Sequence, residues 1–327
     1  MARVSVIILT YNESLHIKRC IESVRGFAHE IFVVDSPSTD DTQQLAEAAG
    51  AKVVVHPFST QAEQFNWALD HLPIEGDWVM RMDADEYVLP ALAEEINGRL
   101  DQIPAHVNGV NVKRRVIFQG RWIKWGGYYP TILLRLFRRG TARSEQRLMD
   151  EHIRLTDGES VTFKHDIVDE NLNDLTWWTD KHNRYANREA ADVLLTETGS
   201  ESHDAFHAST KQAERKRWLK TRVYNKLPFG FRPLMYFVYR YFVRLGLLDG
   251  RAGLTWHGLQ GLWYRFLVDA KLKEMQRSLP GFDGDARRLL SNRYNIHIEP
   301  KAEPHPDSDA TSKHKISRLP ESAVKAS

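Results

Sequence analysis

The chain is predicted to be an α/β protein with a mostly parallel sheet flanked by helices and a C-terminal amphipathic helical extension. Three observations predict this fold class. Short apolar runs rich in β-branched residues alternate with helical patterns through the first ninety residues. Polar residues follow these runs, as they do at the ligand-binding edge of a parallel sheet. A basic and aromatic stretch then occupies residues 207–277.

The first strand is predicted at Val4–Leu9, a nearly continuous apolar run. A helix follows, because the next apolar residues have the spacing i, i+3, i+4, i+7, namely Ile17, Cys20, Ile21 and Val24. Asn12 or Ser14 is expected to cap this helix. Together these two elements form the first β-α unit of a parallel sheet.

The β-α alternation continues with a second strand at Ile31–Val34, which ends in Asp35. Asp40 or Asp41 is expected to cap the next helix, and a third strand follows at Lys52–Val55. A further helix places its apolar residues on one face, namely Ala62, Phe65, Leu69 and Leu72. Repeated β-α units of this length predict a right-handed parallel sheet covered on both faces.

The fourth strand begins near Trp78 and runs directly into two carboxylates, Asp83 and Asp85. In an extended backbone this spacing points both side chains the same way. Two such carboxylates repel each other unless a positive group lies between or beyond them, and a divalent cation carrying a diphosphate fits that need. The alternative is a solvated acidic turn.

The polar residues after the predicted strands fall at one edge of the sheet: Thr10 to Glu13, Asp35 with Ser36, and Asp83 with Asp85. The sequence contains neither G-x-G-x-x-G after the first strand nor G-x-x-x-x-G-K, so neither glycine-rich phosphate loop is available. We therefore expect a metal ion to hold phosphate in this crevice.

Three motifs carry a family resemblance: VSVIILTYNE, VVDSPSTDDT and the DAD of RMDADE. In this order they resemble the family 2 glycosyltransferases, which have the Rossmann-like GT-A fold. The resemblance implies a Mn or Mg ion on Asp85 and Asp83. It also implies nucleotide-sugar contacts from Thr10, Tyr11, Asn12, Glu13, Asp35, Ser36 and Asp83. Pro37 departs from the glycine that the family more often has at that point.

Later motifs resemble the bacterial branch that builds lipopolysaccharide core, capsule or exopolysaccharide: MDEH, FKHDIVDEN, and WW followed by KHNRY. An inverting transfer needs one carboxylate to take the proton from the acceptor hydroxyl. Asp150 and Glu151 are the candidates, and neighbours in an extended loop point in opposite directions. The resemblance favours Glu151, because the branch usually has a His-Glu pair here and Asp150 is a departure from it.

His165 follows an apolar run and is of the residue type that completes a metal site or binds a leaving phosphate, with a structural role as the alternative. The next helix carries basic and aromatic residues. These residues are Trp177, Trp178, Lys181, His182, Arg184 and Tyr185. They could contact a sugar or a phosphate; the alternative is that the helix packs its aromatic side chains on the sheet.

Residues 207–277 contain fifteen Lys and Arg against four Asp and Glu, an excess of +11, interleaved with Trp, Tyr and Phe. This composition suits an anionic membrane surface. A helix over 233–248 would place Arg240 and Arg244 on one stripe, continued by Arg251, which argues against a bilayer span. The alternatives are a helical pair over the cleft and a homo-oligomer contact. Nucleic acid is not expected as a partner, because no binding module is recognisable.

These observations predict a catalytic domain at 1–205, a membrane-interface extension at 206–300 and a disordered tail at 301–327. The short apolar N-terminal run does not resemble a signal peptide, which predicts a cytoplasmic protein at the inner face of the membrane. The predicted activity is transfer of a sugar from a UDP-linked donor to a glycan or lipid-linked acceptor of the cell envelope. The alternatives are a nucleotidyltransferase and a non-catalytic membrane or interaction module.

Overall fold

The computed structural model describes residues 2–145, 152–199 and 230–296. The strands in chain order are β1 (Val4–Thr10), β2 (Ala28–Asp35), β3 (Lys52–Val55), β4 (Trp78–Asp83), β5 (Glu86–Val88), β6 (Val107–Phe118), β7 (Arg121–Trp122), β8 (Thr131–Arg138), β9 (Ala142–Ser144), β10 (Ile153–Leu155) and β11 (Glu159–Glu170).

The helices of the described residues are α1 (Ile17–Val24), α2 (Thr42–Ala48), α3 (Gln61–His71), α4 (Pro90–Arg99), α5 (Leu175–Glu197), α6 (Phe231–Val238), α7 (Gly250–Trp256), α8 (Tyr264–Ser278) and α9 (Ala286–Tyr294). Wider helical turns extend α6 through Tyr239–Val243 and join α7 to α8 through His257–Trp263.

One nine-stranded sheet has the order β3-β2-β1-β4-β8-β6-β11-β5, with β7 paired to β6 beside this path. The strands β1 to β4 are mutually parallel, which confirms the predicted α/β fold with its mostly parallel sheet. Every residue of β1 is buried, as expected for a strand covered on both faces. In the register of this sheet Thr10 lies opposite Asp35, and Leu9 lies opposite Asp83.

The predicted apolar face of α1 is confirmed, because all four of its predicted residues are buried. The predicted cap of α1 is wrong. His16 occupies the cap position, and the Asn12 side chain accepts a hydrogen bond from the backbone of Thr39 instead. Asp41 occupies the cap position of α2 without a capping hydrogen bond from its side chain, and Asp40 Oδ1 accepts from the backbone nitrogen of Thr42 at 3.1 Å.

The second half of the sheet differs from the first in strand direction. Strand β8 runs antiparallel to both β4 and β6, and β11 runs parallel to β6. The chain leaves β4 at Asp83 and enters β5, which pairs with the end of β11. The carboxyl ends of β1, β2 and β4 therefore meet the end of β11, and this arrangement forms the crevice described below.

The C-terminal helices pack on α5 through a separate apolar cluster that contains Ala190, Leu194, Met275 and Leu289. The single helix predicted over 233–248 is wrong, because α6 and its extension end before Leu245, which has a left-handed φ of 60°. Among the described helices, none combines the length and the hydropathy required to cross a bilayer. Residues 206–229 and 297–300 of the predicted extension, and the predicted tail, lie outside the described residues.

Candidate active site

The loops after β1 and β2 are held together by Asp35, the last residue of β2. Its buried carboxylate accepts hydrogen bonds from Thr10 Oγ1 at 2.8 Å, from the backbone nitrogen of Ser38 at 2.9 Å and from Gln43 Nε2 at 2.7 Å. Ser36 is buried beside it. Thr10, Asp35 and Ser36 thus lie together at the carboxyl edge of the sheet, and Asp35 stabilises the loop itself.

Asn12 connects the two loops from the other side. It has a left-handed φ of 54°, its backbone nitrogen donates to Ser38 Oγ at 2.9 Å, and its Oδ1 accepts from the backbone of Thr39 at 2.8 Å. The neighbouring Tyr11 side chain is 59% exposed. The two loops therefore form a rigid support that leaves one aromatic ring open to a ligand.

Glu13 is linked to the end of β11 through His16, which is fully buried. The backbone nitrogen of Leu172 donates to His16 Nε2 at 2.8 Å, so the ring proton is on Nδ1, which donates to Glu13 Oε2 at 2.6 Å. Burial raises the pKa of Glu13, and the nearby Asp85 adds to the effect. One histidine thus fixes the position of the first-loop carboxylate relative to the loop after β11.

Asp83 lies between two arginines. Its Oδ1 is 3.3 Å from Arg81 Nη2, and its Oδ2 accepts from Arg135 Nη2 at 2.9 Å. Arg135 also binds the buried Glu86. Burial alone would raise the pKa of Asp83, but Arg135 and Arg81 outweigh it and hold that pKa well below its usual range. Asp83 therefore carries a charge that the protein already neutralises.

Asp85 has a different environment, because the backbone turns at Ala84 and Asp85 instead of remaining extended. The premise that the two aspartates share one extended strand is therefore wrong. Asp85 Oδ2 accepts from Asn171 Nδ2 at 3.1 Å, and its carbonyl oxygen accepts from Arg19 Nη2 at 3.3 Å. Among the described residues, none donates a hydrogen bond to its Oδ1.

Asp169, near the end of β11, adds a further carboxylate to the crevice. It lies 3.5 Å from Arg114 Nη1 and interacts electrostatically with Asp85 and Asp83. Burial is the main cause that raises the pKa of Asp169 to about 6. The crevice thus concentrates negative charge around Asp85, which favours a cation there.

Lys181 of α5 brings a positive charge to the same place. Its Nζ lies 4.6 Å from the centre of the Trp177 ring and 5.8 Å from that of Tyr185. Burial opposes its charge, but Tyr185, Asp85 and Glu13 outweigh burial and raise the pKa of Lys181. Its ammonium group is therefore charged and held on an aromatic surface beside the acidic crevice.

His165 is not brought to this crevice. Its Nδ1 lies 2.9 Å from Glu95 Oε2, and its backbone nitrogen donates to the same oxygen at 3.0 Å. Within the described ranges no set of three or more His, Cys, Asp or Glu side chains is arranged to hold a metal ion. The pairing with Glu95 agrees with a structural role for this histidine. His165 is therefore not part of the proposed metal site.

The two candidate bases, Asp150 and Glu151, lie outside the described residues. The residues on either side form a hairpin, in which β9 pairs with β10 and the backbone nitrogen of Glu145 donates to the carbonyl of His152 at 2.9 Å. Ser144 is fixed to α3 through two hydrogen bonds of 2.9 Å with Asn66. The ends of the segment that carries both carboxylates are therefore anchored.

Several residues of the crevice are absent from the sequence-based prediction. Arg81 and Arg135 are charged residues inside apolar strands, a pattern that signals a buried charged partner. His16 gives no such signal, because its partner at Leu172 is distant in the chain. Asp169 belongs to the FKHDIVDEN motif, but the sequence alone assigns it no role.

The sequence profile of glycosyl transferase family 2 matches residues 5–170. An uncharacterized glycosyltransferase of Rickettsia felis is 43% identical over 96 residues, which cover 29% of this chain and 33% of that protein. The lipopolysaccharide core biosynthesis glycosyltransferase LpsC of Rhizobium meliloti is 34% identical over 152 residues, covering 42% of this chain and 52% of LpsC.

Among solved structures, glucosyl-3-phosphoglycerate synthase of Mycobacterium tuberculosis, in complex with Mn²⁺, UDP and glucosyl-3-phosphoglycerate, is 27% identical. The match covers 36% of this chain and 44% of that one, with a TM-score of 0.30. The chain spans about a third of the length of the Rickettsia relatives that it matches.

Proposed function

Because this chain belongs to glycosyl transferase family 2, we propose that it transfers a sugar from a UDP-linked donor to a glycan or lipid-linked acceptor with inversion at the anomeric carbon. One observation carries the proposal. Asp85 lies at the carboxyl edge of the parallel strands, in the electrostatic environment of Glu13, Asp169 and Lys181. This edge is where open α/β sheets bind their ligands.

The nucleotide lies against the loops after β1 and β2 in this proposal. Tyr11 offers an exposed ring to the base, and Asn12 and Glu13 line the same loop. Thr10, Asp35 and Ser36 act mainly as a rigid support, because their polar groups are already engaged within the protein, and Asp83 lies nearest the ribose. A support that is rigid before binding lowers the entropy lost when the nucleotide binds.

A divalent cation, Mn or Mg, fits the crevice. Such ions bind through one or two carboxylates together with substrate phosphates, and Asp85 offers an oxygen that no described donor occupies. Asp85 would hold the ion, which when bound neutralises charge on the diphosphate leaving group. Asp83 contributes less, because Arg81 and Arg135 already bind its oxygens.

Lys181 has a second role in this proposal. Its ammonium group is held on the rings of Trp177 and Tyr185 and faces the negative charge of the crevice. When a diphosphate enters the crevice, its phosphate oxygens would replace the carboxylates as neighbours of the Lys181 ammonium group. We therefore assign Lys181 to binding of the leaving group, with Glu151 as the base and Asp150 as the alternative.

A role in the cell envelope and peripheral membrane binding are further parts of the proposal. The likeness to LpsC supports an acceptor of the lipopolysaccharide type. The described part of the extension exposes a series of large apolar side chains: Phe231, Leu234, Met235, Tyr239, Phe242, Val243, Leu245, Leu247, Leu248 and Leu254. An exposed apolar patch with basic neighbours suits a lipid surface of anionic charge.

The experiment that tests the activity is hydrolysis and transfer with a panel of nucleotide sugars, with Mn, with Mg and with a chelator. We expect release of UDP from one UDP-sugar, strongly reduced by the chelator. Release of pyrophosphate from a nucleoside triphosphate would instead identify a nucleotidyltransferase. Absence of metal-dependent UDP binding by calorimetry would contradict both enzyme functions.

A further inference from the structure

A cavity of about 400 Å³ lies where the loop between β7 and β8 meets the chain that follows α6. Two basic, two aromatic and two apolar residues contribute to its walls, together with a glycine: Lys124, Arg244, Trp125, Tyr129, Val243, Leu245 and Gly127. None of these residues belongs to the acidic crevice described above. The cavity therefore requires a separate explanation.

The two walls of the cavity are fixed to each other by backbone hydrogen bonds. The backbone nitrogen of Gly126 donates to the carbonyl of Arg244 at 2.9 Å. The buried Asp249 accepts from the backbone nitrogens of Lys124 at 3.2 Å and Trp125 at 2.9 Å. These contacts fix the backbone that carries both basic residues before any ligand binds.

The glycine in the wall allows a close approach of the guanidinium group. Gly127 has a φ of 76°, and a Cβ atom at this position would lie 3.3 Å from Arg244 Nε. A side chain here would therefore be strained and would crowd the guanidinium group. The glycine thus leaves room for the guanidinium group of Arg244, whose N–H groups along one edge suit bidentate binding of phosphate or carboxylate.

The cavity carries unbalanced positive charge. Within the described ranges neither Lys124 nor Arg244 forms an ion pair, although Asp249 interacts electrostatically with Lys124. The Lys124 Nζ lies 5.6 Å from the centre of the Trp125 ring, which is partly exposed. Two cations beside an aromatic face suit an anionic group attached to a sugar.

The position of the cavity relates it to the acidic crevice. Trp122 of β7 pairs with Ile117 of β6, and Ile117 lies opposite Glu170 of β11. Two strand spacings, about 10 Å, therefore separate Trp122 from Glu170. The backbone nitrogen of Glu170 donates to the carbonyl of Asp85 at 3.1 Å. The cavity residue Lys124 follows Trp122 by two residues, so we expect a short glycan to extend from the cavity toward the crevice.

The outer rim of the cavity is apolar and open to solvent. Val243 is 66% exposed and Leu245 is 45% exposed, and both residues line the cavity. We propose that this cavity binds the anionic group of an amphipathic acceptor, a glycan that carries phosphate or carboxylate and is linked to a lipid. Lys124 and Arg244 bind the anion, and the lipid chain lies along Val243 and Leu245. The inference rests on the proposed transferase function, whose acceptor class it specifies.

The test uses the full chain and three probes: dodecyl phosphate, the neutral amphiphile dodecyl maltoside, and inorganic phosphate. By calorimetry below the micelle concentration, we expect dodecyl phosphate to bind most tightly. Lys124→Gln and Arg244→Gln should each weaken it about tenfold, as loss of one charge-assisted contact does. Lys124→Arg should retain binding. Arg251→Gln is the matched control, because Arg251 is exposed on the same segment outside the cavity.

Equal binding of the neutral and anionic amphiphiles, unchanged by Lys124→Gln and Arg244→Gln, would overturn the proposal. Binding of inorganic phosphate as tight as that of dodecyl phosphate would overturn the amphipathic part and indicate a site for free phosphate. Manganese-dependent UDP binding is measured on the wild type in parallel. Its absence, with dodecyl phosphate still bound at the cavity, would refute the transferase function separately from the cavity.

Discussion

The acidic crevice and the C-terminal helical segment, residues 230–296 with the face of α5 that packs on them, are held together by different kinds of interaction. At the crevice, charged and polar side chains from distant parts of the chain pair with each other. Asp83 with Arg135, and Asp85 with Asn171, are two examples. At the junction of α5 and α7, aromatic rings pack in edge and stacked contacts instead, as Trp178 does with Phe118, His182 and Trp256.

This difference shows what each region can tolerate. A buried ion pair is strongly destabilised when one partner is removed, because the remaining charge stays unpaired. The stability of an aromatic cluster depends on how well its rings pack and on whether its histidines stay uncharged. Changes of charge should therefore affect catalysis or folding in the crevice, and should affect binding or acid stability in the helical segment.

The largest expected effect separates the two aspartates of the crevice. Asp85→Asn removes charge from a carboxylate oxygen that no described residue occupies, so the fold should persist while turnover falls by about a thousandfold or more. A loss of several kcal/mol of leaving-group stabilisation corresponds to that factor. Steady-state kinetics with Mn and a thermal melt measure the two quantities.

Asp83→Asn is the comparison for that experiment. It removes the charge shared with Arg81 and Arg135, so the free energy of unfolding should fall by roughly 1 to 3 kcal/mol. Asp157→Asn, on an exposed turn, is the matched control and should change neither quantity. Near wild-type turnover of Asp85→Asn with Mn present would contradict the proposed metal site.

The second prediction concerns the base. Glu151→Gln should lower turnover by roughly two to four orders of magnitude while UDP affinity stays nearly the same, because general-base catalysis acts in the transition state. Single-turnover kinetics and UDP titration measure both. A severe effect of Asp150→Asn together with a mild effect of Glu151→Gln would exchange the two roles.

The sequence predicts the parallel half of the fold well, since β3 and the buried face of α1 are found where expected. The apolar pattern of the sequence identifies such strands and helices, because their apolar residues are buried in a sheet that is covered on both faces. The position of Thr10, Asp35 and Asp83 at one edge follows from the same pattern. Strand ends are thus the part of the site that a sequence predicts best.

The partners of those residues depend on contacts across the chain, which no local pattern contains. Arg135 reaches Asp83 only because β8 inserts antiparallel between β4 and β6. Arg240 provides a second example. Its guanidinium group lies 3.9 Å from the centre of the ring of Tyr128, in the loop between β7 and β8, so it stacks across the chain and does not share an exposed stripe with Arg244.

The third prediction tests the helical segment as a membrane-binding surface. Arg244→Glu combined with Arg251→Glu should weaken binding to anionic vesicles by at least about 2 kcal/mol, roughly thirtyfold, because each basic residue near such a surface contributes about 1 kcal/mol. Cosedimentation with phosphatidylglycerol and phosphatidylcholine vesicles across a salt series measures this. Binding should weaken as salt rises.

Lys18→Glu combined with Lys164→Glu makes the same change of charge on exposed residues of the family 2 region, 5–170, and should leave vesicle binding nearly unchanged. Arg240 is unsuitable for this test, because its stacking on Tyr128 makes a substitution there destabilising. If the wild type binds neither vesicle and is a stable dimer whose contact includes residues 230–254, the surface is a protein interface instead.

The smallest expected effect is acid destabilisation of the helical segment. Burial lowers the pKa of His182 and of His257 to about 4, whereas an unfolded histidine has a pKa near 6.5. The folded state therefore binds fewer protons than the unfolded state between these values. This contribution to stability is complete above about pH 6.5 and is lost as the pH falls toward 4.

At pH 5 each histidine should account for about 1 to 2 kcal/mol of lost unfolding free energy relative to pH 7.5. Urea unfolding followed by tryptophan fluorescence at both pH values measures the loss. His182→Gln and His257→Gln should each make the pH dependence smaller, and His106→Gln, at an exposed position, should leave it unchanged. Because the crevice relies on a carboxylate whose pKa is held low by arginines, the helical segment should lose its packing first on acidification. If UDP binding and helical packing are instead lost over the same pH range, the two regions unfold as one unit.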